Sequence, residues 1–203
     1  MDMSAIFMAS GFSRRFDGNK LVAPLGGRPL YQYGFMNLKK ALRRARPHVT
    51  ATLVVVTTYD EIADWCAAQG AVVCRNDQAK EGIAASIRIG VEAAEKDAYA
   101  FFVADRPLLR EDTIADFLVG FVSSGQSLGA MSRDGVPMNP AIFTNAYREE
   151  LLSLTGDAGA GKLLKGYIKE CWKKETTQIE MEDVDTRDDA RRLLTYLTTV
   201  TLP

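Results

Sequence analysis

Apolar residues gather along this chain in two ways, as short unbroken runs and as longer stretches with helical spacing. Ala5 to Ala9, Leu53 to Thr57, Ala71 to Cys74 and Ala98 to Ala104 are runs of the first kind. The first, second and fourth leave almost no polar face for water and are read as buried strands, and Ala71 to Cys74 is read as a short strand. A turn at Gly26-Gly27-Arg28-Pro29 leads into a helix over Leu30 to Ala45, with Pro29 suited to a first helical position. Its closing Lys39, Lys40, Arg43 and Arg44 match the dipole of a helix C-terminus. Asp60 to Gln69 predicts a second helix, capped by Asp60 and stopped by Gly70. A third opens at Gly82 and runs to Lys96, and a fourth starts at Asp112 with Ile114, Phe117, Leu118 and Phe121 at core spacing.

Strand–helix alternation with apolar strands implies a single-domain α/β fold over residues 1–203, a mostly parallel twisted sheet in three α/β/α layers. Ligands of such sheets sit at the carboxyl ends of the strands. The loop around Gly11 and Asp105 both fall there. Beyond residue 128 the pattern changes. Leu128 to Ser132 and Ala141 to Phe143 predict strands around a loop from Asp134 to Pro140. Helices are expected over Tyr147 to Leu154 and Lys162 to Glu170, split by the glycine-rich stretch 156–161. Thr177 to Met181 alternates polar and apolar positions and reads as a late edge strand, antiparallel in the sheet. Thr186 or Asp185 caps the final helix.

Composition narrows this picture without changing it. The net charge of −1 provides no general attraction for nucleic acid or a membrane surface, so any anion site is a local cluster. The 3 cysteines (Cys66, Cys74, Cys171) are odd in number and far apart, as buried thiols are. No apolar run reaches membrane-spanning length and the N-terminus lacks signal-peptide order, so a cytoplasmic location is expected. The single histidine, His48, follows Pro47 in a loop and carries no role.

The candidate chemistry starts where the first strand breaks into Ser10, Gly11 and Ser13. Small residues let backbone N–H groups approach an anion, and Arg14, Arg15 and Lys20 follow to supply charge. A polyphosphate suits that combination; an ordinary strand-to-helix loop with surface arginines is the alternative. The spacing is neither G-x-x-x-x-G-K-[ST] nor G-x-G-x-x-G. By position alone, Asp105 and Asp185 are helix caps or salt-bridge partners at least as readily as metal ligands.

Met8 to Leu21 resembles the signature L-A-[AG]-G-x-S-x-R-[MF]-G-x-x-K-L of the MobA-like nucleotidyltransferases. Ser10 and Asp17 depart from it, standing for Ala or Gly and for Gly. Ala104-Asp105-Arg106-Pro107 is similar to the family's Gly-Asp-x-Pro, and Asp183 to Asp189 to its Asp-[ILV]-Asp-Thr-x-Asp-Asp. Gly82 to Gly90, Gly135 to Pro140 and Leu154 to Ala160 resemble further segments, the last two especially those of molybdenum cofactor cytidylyltransferases. The resemblance implies a Rossmann-like nucleotidyltransferase fold, with Arg15 and Lys20 on the departing pyrophosphate and Mg²⁺ on Asp105 and Asp185. Asp183 is a lesser ligand candidate. Ala9, Ser10, Gly11, Ser13, Arg14, Lys20, Gly82 and Ser86 would meet the nucleotide, and Asn139, Pro140 and Asp157 the acceptor. It favours CTP over GTP and molybdopterin cofactor as the acceptor, with an apo molybdenum hydroxylase as a further partner. Transfer from GTP, transfer to a sugar or polyol phosphate, and a non-catalytic cofactor carrier are the alternatives.

Nucleotidyl transfer asks mainly for positioning and charge stabilisation. An acceptor phosphomonoester, with a second pKa of about 6, is already largely dianionic at neutral pH. No general base is required, consistent with a chain that has no Ser/His/Asp or Cys/His constellation.

Overall fold

β1 (Asp2–Ala9) opens the chain and passes through a loop to a small ribbon, β2 (Pro24–Leu25) and β3 (Arg28–Pro29), and then α1 (Leu30–Ala45). β4 (Thr50–Thr57), α2 (Asp60–Ala68), β5 (Val72–Arg75), α3 (Ile83–Glu92), β6 (Ala98–Val103) and α4 (Glu111–Ser124) continue the alternation. The hairpin β7 (Leu128–Arg133) and β8 (Val136–Thr144), the short helices α5 (Arg148–Leu152) and α6 (Ala160–Gly166), β9 (Trp172–Glu175) and α7 (Arg187–Val200) complete it. This computed structural model describes residues 1–13, 15–16, 18–93 and 95–200, the last three of them by backbone alone; Arg14 and Asp17 lie outside the described residues.

The 7-stranded sheet has the order β5-β4-β1-β6-β8-β7-β9. β5, β4, β1 and β6 are mutually parallel, as their apolar runs imply. Successive side chains in a strand point to opposite faces, and both faces here are covered. Met3, Ala5 and Phe7 of β1 join the core under α1, α2 and α4, while Ile6 and Met8 join the one under α3, α5 and α6. That is the three-layer arrangement.

The antiparallel member is β8, which pairs with both β6 and β7. Asp134 and Gly135 alone make its turn, at φ of 51° and 74°, so the expected loop to Pro140 is mostly strand. The late edge strand is β9, parallel to β7, and not Thr177 to Met181, which is a short 3₁₀ turn over Ile179–Met181. Trp172 draws the edge strand earlier. Its ring stacks on Phe117 and meets Phe121, over Gly120 and Gly129; a Cβ at Gly120 would collide with the Trp172 ring and one at Gly129 with Phe121. α3 stops at Glu92, short of Lys96, because Lys96 and Asp97 bind Asp2 at the start of β1. Thr186 caps α7 reciprocally: Asp189 N–H donates to Thr186 Oγ1, and Thr186 N–H donates to Asp189 Oδ2.

Candidate active site

The loop after β1 is tied down at several points. Thr57 Oγ1 donates to the Ala9 carbonyl, Ser10 Oγ to the Val56 carbonyl, and Tyr59 OH to the Gly11 carbonyl at 2.8 Å. Ser13 holds the other end, its hydroxyl accepting the Lys20 N–H at 3.0 Å. Buried Phe16 and Leu21 anchor the same stretch in the core. The outcome is a fixed stem for Lys20, whose side chain is 10% exposed.

Lys20 Nζ donates to Asp105 Oδ2 at 2.8 Å and to Asp185 Oδ1 at 3.0 Å. Burial works against its charge most strongly, yet Asp105 and Asp185 together hold the ammonium pKa above its ordinary value. Arg15, 72% exposed, reaches the other oxygen of Asp185 at 2.7 Å.

Asp105 lies two residues past the end of β6, and its carbonyl accepts the Val184 N–H at 2.9 Å. That bond docks the late segment so that Asp183 and Asp185, on either side of buried Val184, face Asp105. One oxygen from each of the three carboxylates lies within 4.8 Å of the others. Asp105 Oδ1 is buried without a partner among the described residues. Asp183 is exposed over much of its surface, but partial burial of its carboxyl, then Asp105 and Asp185, push its pKa up. Hard oxygen donors, an unshared oxygen and mutual repulsion together fit a divalent cation of the Mg²⁺ or Mn²⁺ type.

A cleft of about 390 Å³ opens beside this cluster. Ser10, Gly11, Phe12 and Lys20 form one wall; Gly82, Ile83, Ser86 and Asp157 form the other. Gly82, at φ +102°, precedes α3, and a Cβ there would stand 2.4 Å from the Gly156 backbone. Ser86 Oγ accepts from Asn76 Nδ2 at 2.9 Å, so the hydroxyl is held from behind.

Ser10, Gly11, Lys20, Gly82, Ser86 and Asp105 therefore share one crevice, with Asp185 and Arg15 joined to it through ion pairs. Ala9 and Ser13 support the loop and do not line the cleft. Asp157 stands on the wall with Gly82 and Ser86, apart from Asn139 and Pro140, which are not part of the lining. The Asn139 carbonyl instead accepts from Arg106, a guanidinium whose pKa burial lowers against the pull of Asp105 and Asp183. Residue pattern alone does not single out Asn76, Tyr59 or Phe12. Asn76 and Tyr59 follow β5 and β4 at strand ends, a position that would have flagged both.

Purine catabolism protein PucB of Bacillus subtilis (strain 168) is 30% identical to this chain, over 91% of it and 92% of its own length. A nucleotidyl transferase from Methanothermobacter thermautotroptrophicus (Mth528) superposes with a TM-score of 0.81 at 19% identity, covering 98% of this chain and 99% of that one. Rv0371c from Mycobacterium tuberculosis H37Rv does so at 0.77 and 20% identity, over 95% and 97% of the two chains. A crystal structure of that protein in complex with manganese superposes at 0.70 and 19% identity, over 96% of this chain and 99% of that one. The MobA-like NTP transferase domain matches residues 5–174. Together with the crevice shared by the amino-terminal loop and the aspartates, that match shows that the chain belongs to the MobA-like NTP transferase family of nucleotidyltransferases.

Proposed function

We propose that the protein transfers CMP from CTP to the terminal phosphate of molybdopterin cofactor and releases pyrophosphate. The observation that carries this reading is Lys20, whose ammonium joins Asp105 and Asp185 at the edge of the cleft. A triphosphate in that cleft would lie between the Gly11 loop and the carboxylates. Lys20 and Arg15 then neutralise charge that develops on the departing pyrophosphate. Arg14, outside the described residues, keeps only its place in the loop sequence.

Asp105 and Asp185, with Asp183 beside them, would hold Mg²⁺, and the manganese complex of the M. tuberculosis protein agrees with an ion of this kind. An ion held by these carboxylates would supply positive charge to the phosphate oxygens. The residues of the second wall orient the nucleoside. Gly82 lets the chain at Gly156 approach α3, and Asn76 keeps the Ser86 hydroxyl at the cleft. The acceptor phosphate is dianionic near pH 7, so no side chain need remove a proton from it. Ser10 favours a pyrimidine by occupying room that a glycine would leave open. Asn139 and Pro140 are kept for the acceptor; Asp157 moves to the nucleoside side. The B. subtilis relative is named for purine catabolism, which favours a purine-oxidising molybdenum hydroxylase as the apo-enzyme partner.

The test is pyrophosphate release from each of CTP, GTP, ATP and UTP, with Mg²⁺ and molybdopterin cofactor. Release from CTP is expected. Release from GTP alone would reassign the base. Cofactor binding with no release from any nucleotide would replace the enzyme with a carrier.

A further inference from the structure

The segment that carries Asp183 and Asp185 has no strand or long helix to hold it. What holds it is a buried carboxylate, Glu180, whose side chain is 6% exposed. Its Oε1 accepts from Thr113 Oγ1 at 2.6 Å and from both the backbone N–H and Nε of Arg110 at 3.3 Å. Its Oε2 accepts from Thr176 Oγ1 at 3.2 Å and Thr177 Oγ1 at 3.0 Å. Arg110 and Thr113 stand at the start of α4, where the helix dipole favours an anion. They also belong to the connection that leaves Asp105.

Glu180 thus ties together the two segments that supply the carboxylate cluster. On one side the chain runs from Asp105 to Arg110 and Thr113; on the other it runs from Glu180 to Asp183 and Asp185. The Val184 N–H bond to the Asp105 carbonyl closes this circuit at its far end. Met181 and Val184 are buried and seat the span between the two ties. A neutral side chain could fill the volume of Glu180, but it would not accept from every one of those donors. A buried, fully bonded carboxylate is an expensive way to pack a turn and an effective way to set its position.

We infer that Glu180 is a positioning residue for the metal centre: it sets the spacing of Asp183 and Asp185 against Asp105 and so sets affinity for the divalent cation. This rests on the reading of those three aspartates as cation ligands. Groups that orient ligands from behind change metal affinity by about 10–100-fold when removed.

The experiment is a titration of the full chain with Mn²⁺ alone, free ion being read by electron paramagnetic resonance, beside thermal unfolding in EDTA. Wild type, Asp105→Asn, Glu180→Gln and the milder Thr113→Val are compared. Expected are saturable binding by wild type, loss in Asp105→Asn, and at least about tenfold weaker binding in Glu180→Gln. Thr113→Val should fall between, while still unfolding cooperatively in EDTA. If wild type binds no Mn²⁺, or Asp105→Asn binds it equally well, the cation site itself is lost and this inference with it. If only Asp105→Asn is defective, and Glu180→Gln and Thr113→Val bind like wild type, Glu180 is a stability residue and the inference alone is overturned.

Discussion

Lys20 Nζ lies 3.0 Å from Asp185 Oδ1, a residue 165 positions further along the chain. The amino-terminal loop and the late carboxylate segment therefore meet at this ammonium, which Asp105 shares, and at the Arg15–Asp185 pair beside it.

Replacing Lys20 by methionine should lower kcat by about 10²–10³-fold, the range seen when one donor to developing charge is removed, with a smaller change in KM for the nucleotide. Turnover within a few-fold of wild type would exclude Lys20 from the chemistry. The same variant tests the ion pairs by pH. Lys20 has its pKa raised above 10.5 in the fold despite its burial, so its pairing with Asp105 and Asp185 stabilises fully below that pH. The contribution is lost as pH rises through the higher folded value. Thermal unfolding should show the wild-type protein losing ground relative to Lys20→Met only above about pH 10.5. A gap unchanged at alkaline pH contradicts the pairing.

Asp183→Asn should raise the unfolding temperature in EDTA at pH 7. Partial burial, then Asp105 and Asp185, raise the Asp183 pKa above its ordinary 3.8. The sign follows: stability from this group is fully present below 3.8 and lost as pH rises through the folded value. At neutral pH its charge therefore opposes folding, modestly because solvent screens it. Added Mn²⁺ should raise the wild-type midpoint and raise that of Asp183→Asn less. Equal midpoints for the two proteins in EDTA would show that the carboxylates do not repel.

Gly82→Ala combines a left-handed backbone angle with a Cβ 2.4 Å from the Gly156 backbone. The backbone angle alone costs about 1–3 kcal/mol, and the clash displaces either α3 or the 156–157 segment. A lower denaturant midpoint and an NTP KM increased by about tenfold or more are expected. A variant with wild-type KM would detach this wall from nucleotide binding.

Arg15→Ala separates charge from structure. Arg15 is exposed, and its ion pair with Asp185 should contribute well under about 1 kcal/mol to folding. The unfolding temperature should hold while kcat falls. A loss of stability with unaltered kcat would make the arginine a structural partner of Asp185.

Much of the architecture was readable from residue pattern. The continuous run Leu53 to Thr57 suits a central parallel strand, and β4 is one, whereas the shorter run Ala71 to Cys74 forms the edge strand β5 with Val72 48% exposed. After residue 128 tertiary contacts outweigh local preference. Trp172 fixes the edge strand by stacking on Phe117, which no periodicity within residues 172–175 could announce. Residues 177–181 alternate like a strand, yet Glu180 turns inward to Thr113 and bends them into a turn. At the site, motif resemblance located Lys20, Asp105 and Asp185, which the structure brings together. It grouped Asp157 with Asn139; the close approach of Gly156 to Gly82 puts Asp157 in the cleft lining beside Gly82, while Asn139 is not part of that lining.

By itself, the order of apolar runs determined a mostly parallel sheet with two covered faces, because central strands without a polar side, such as β1 and β4, need cover on both. The small residues and cations after β1 likewise led to the expectation of an anion site. Only the tertiary structure decided which distant groups share that place. Spacings of a few ångströms between Lys20, Asp105, Asp183 and Asp185 arise from bonds such as Val184 N–H to the Asp105 carbonyl and from the seat of Glu180 on α4. Those contacts join residues far apart in the chain, and their geometry exists only once the layers between them have packed.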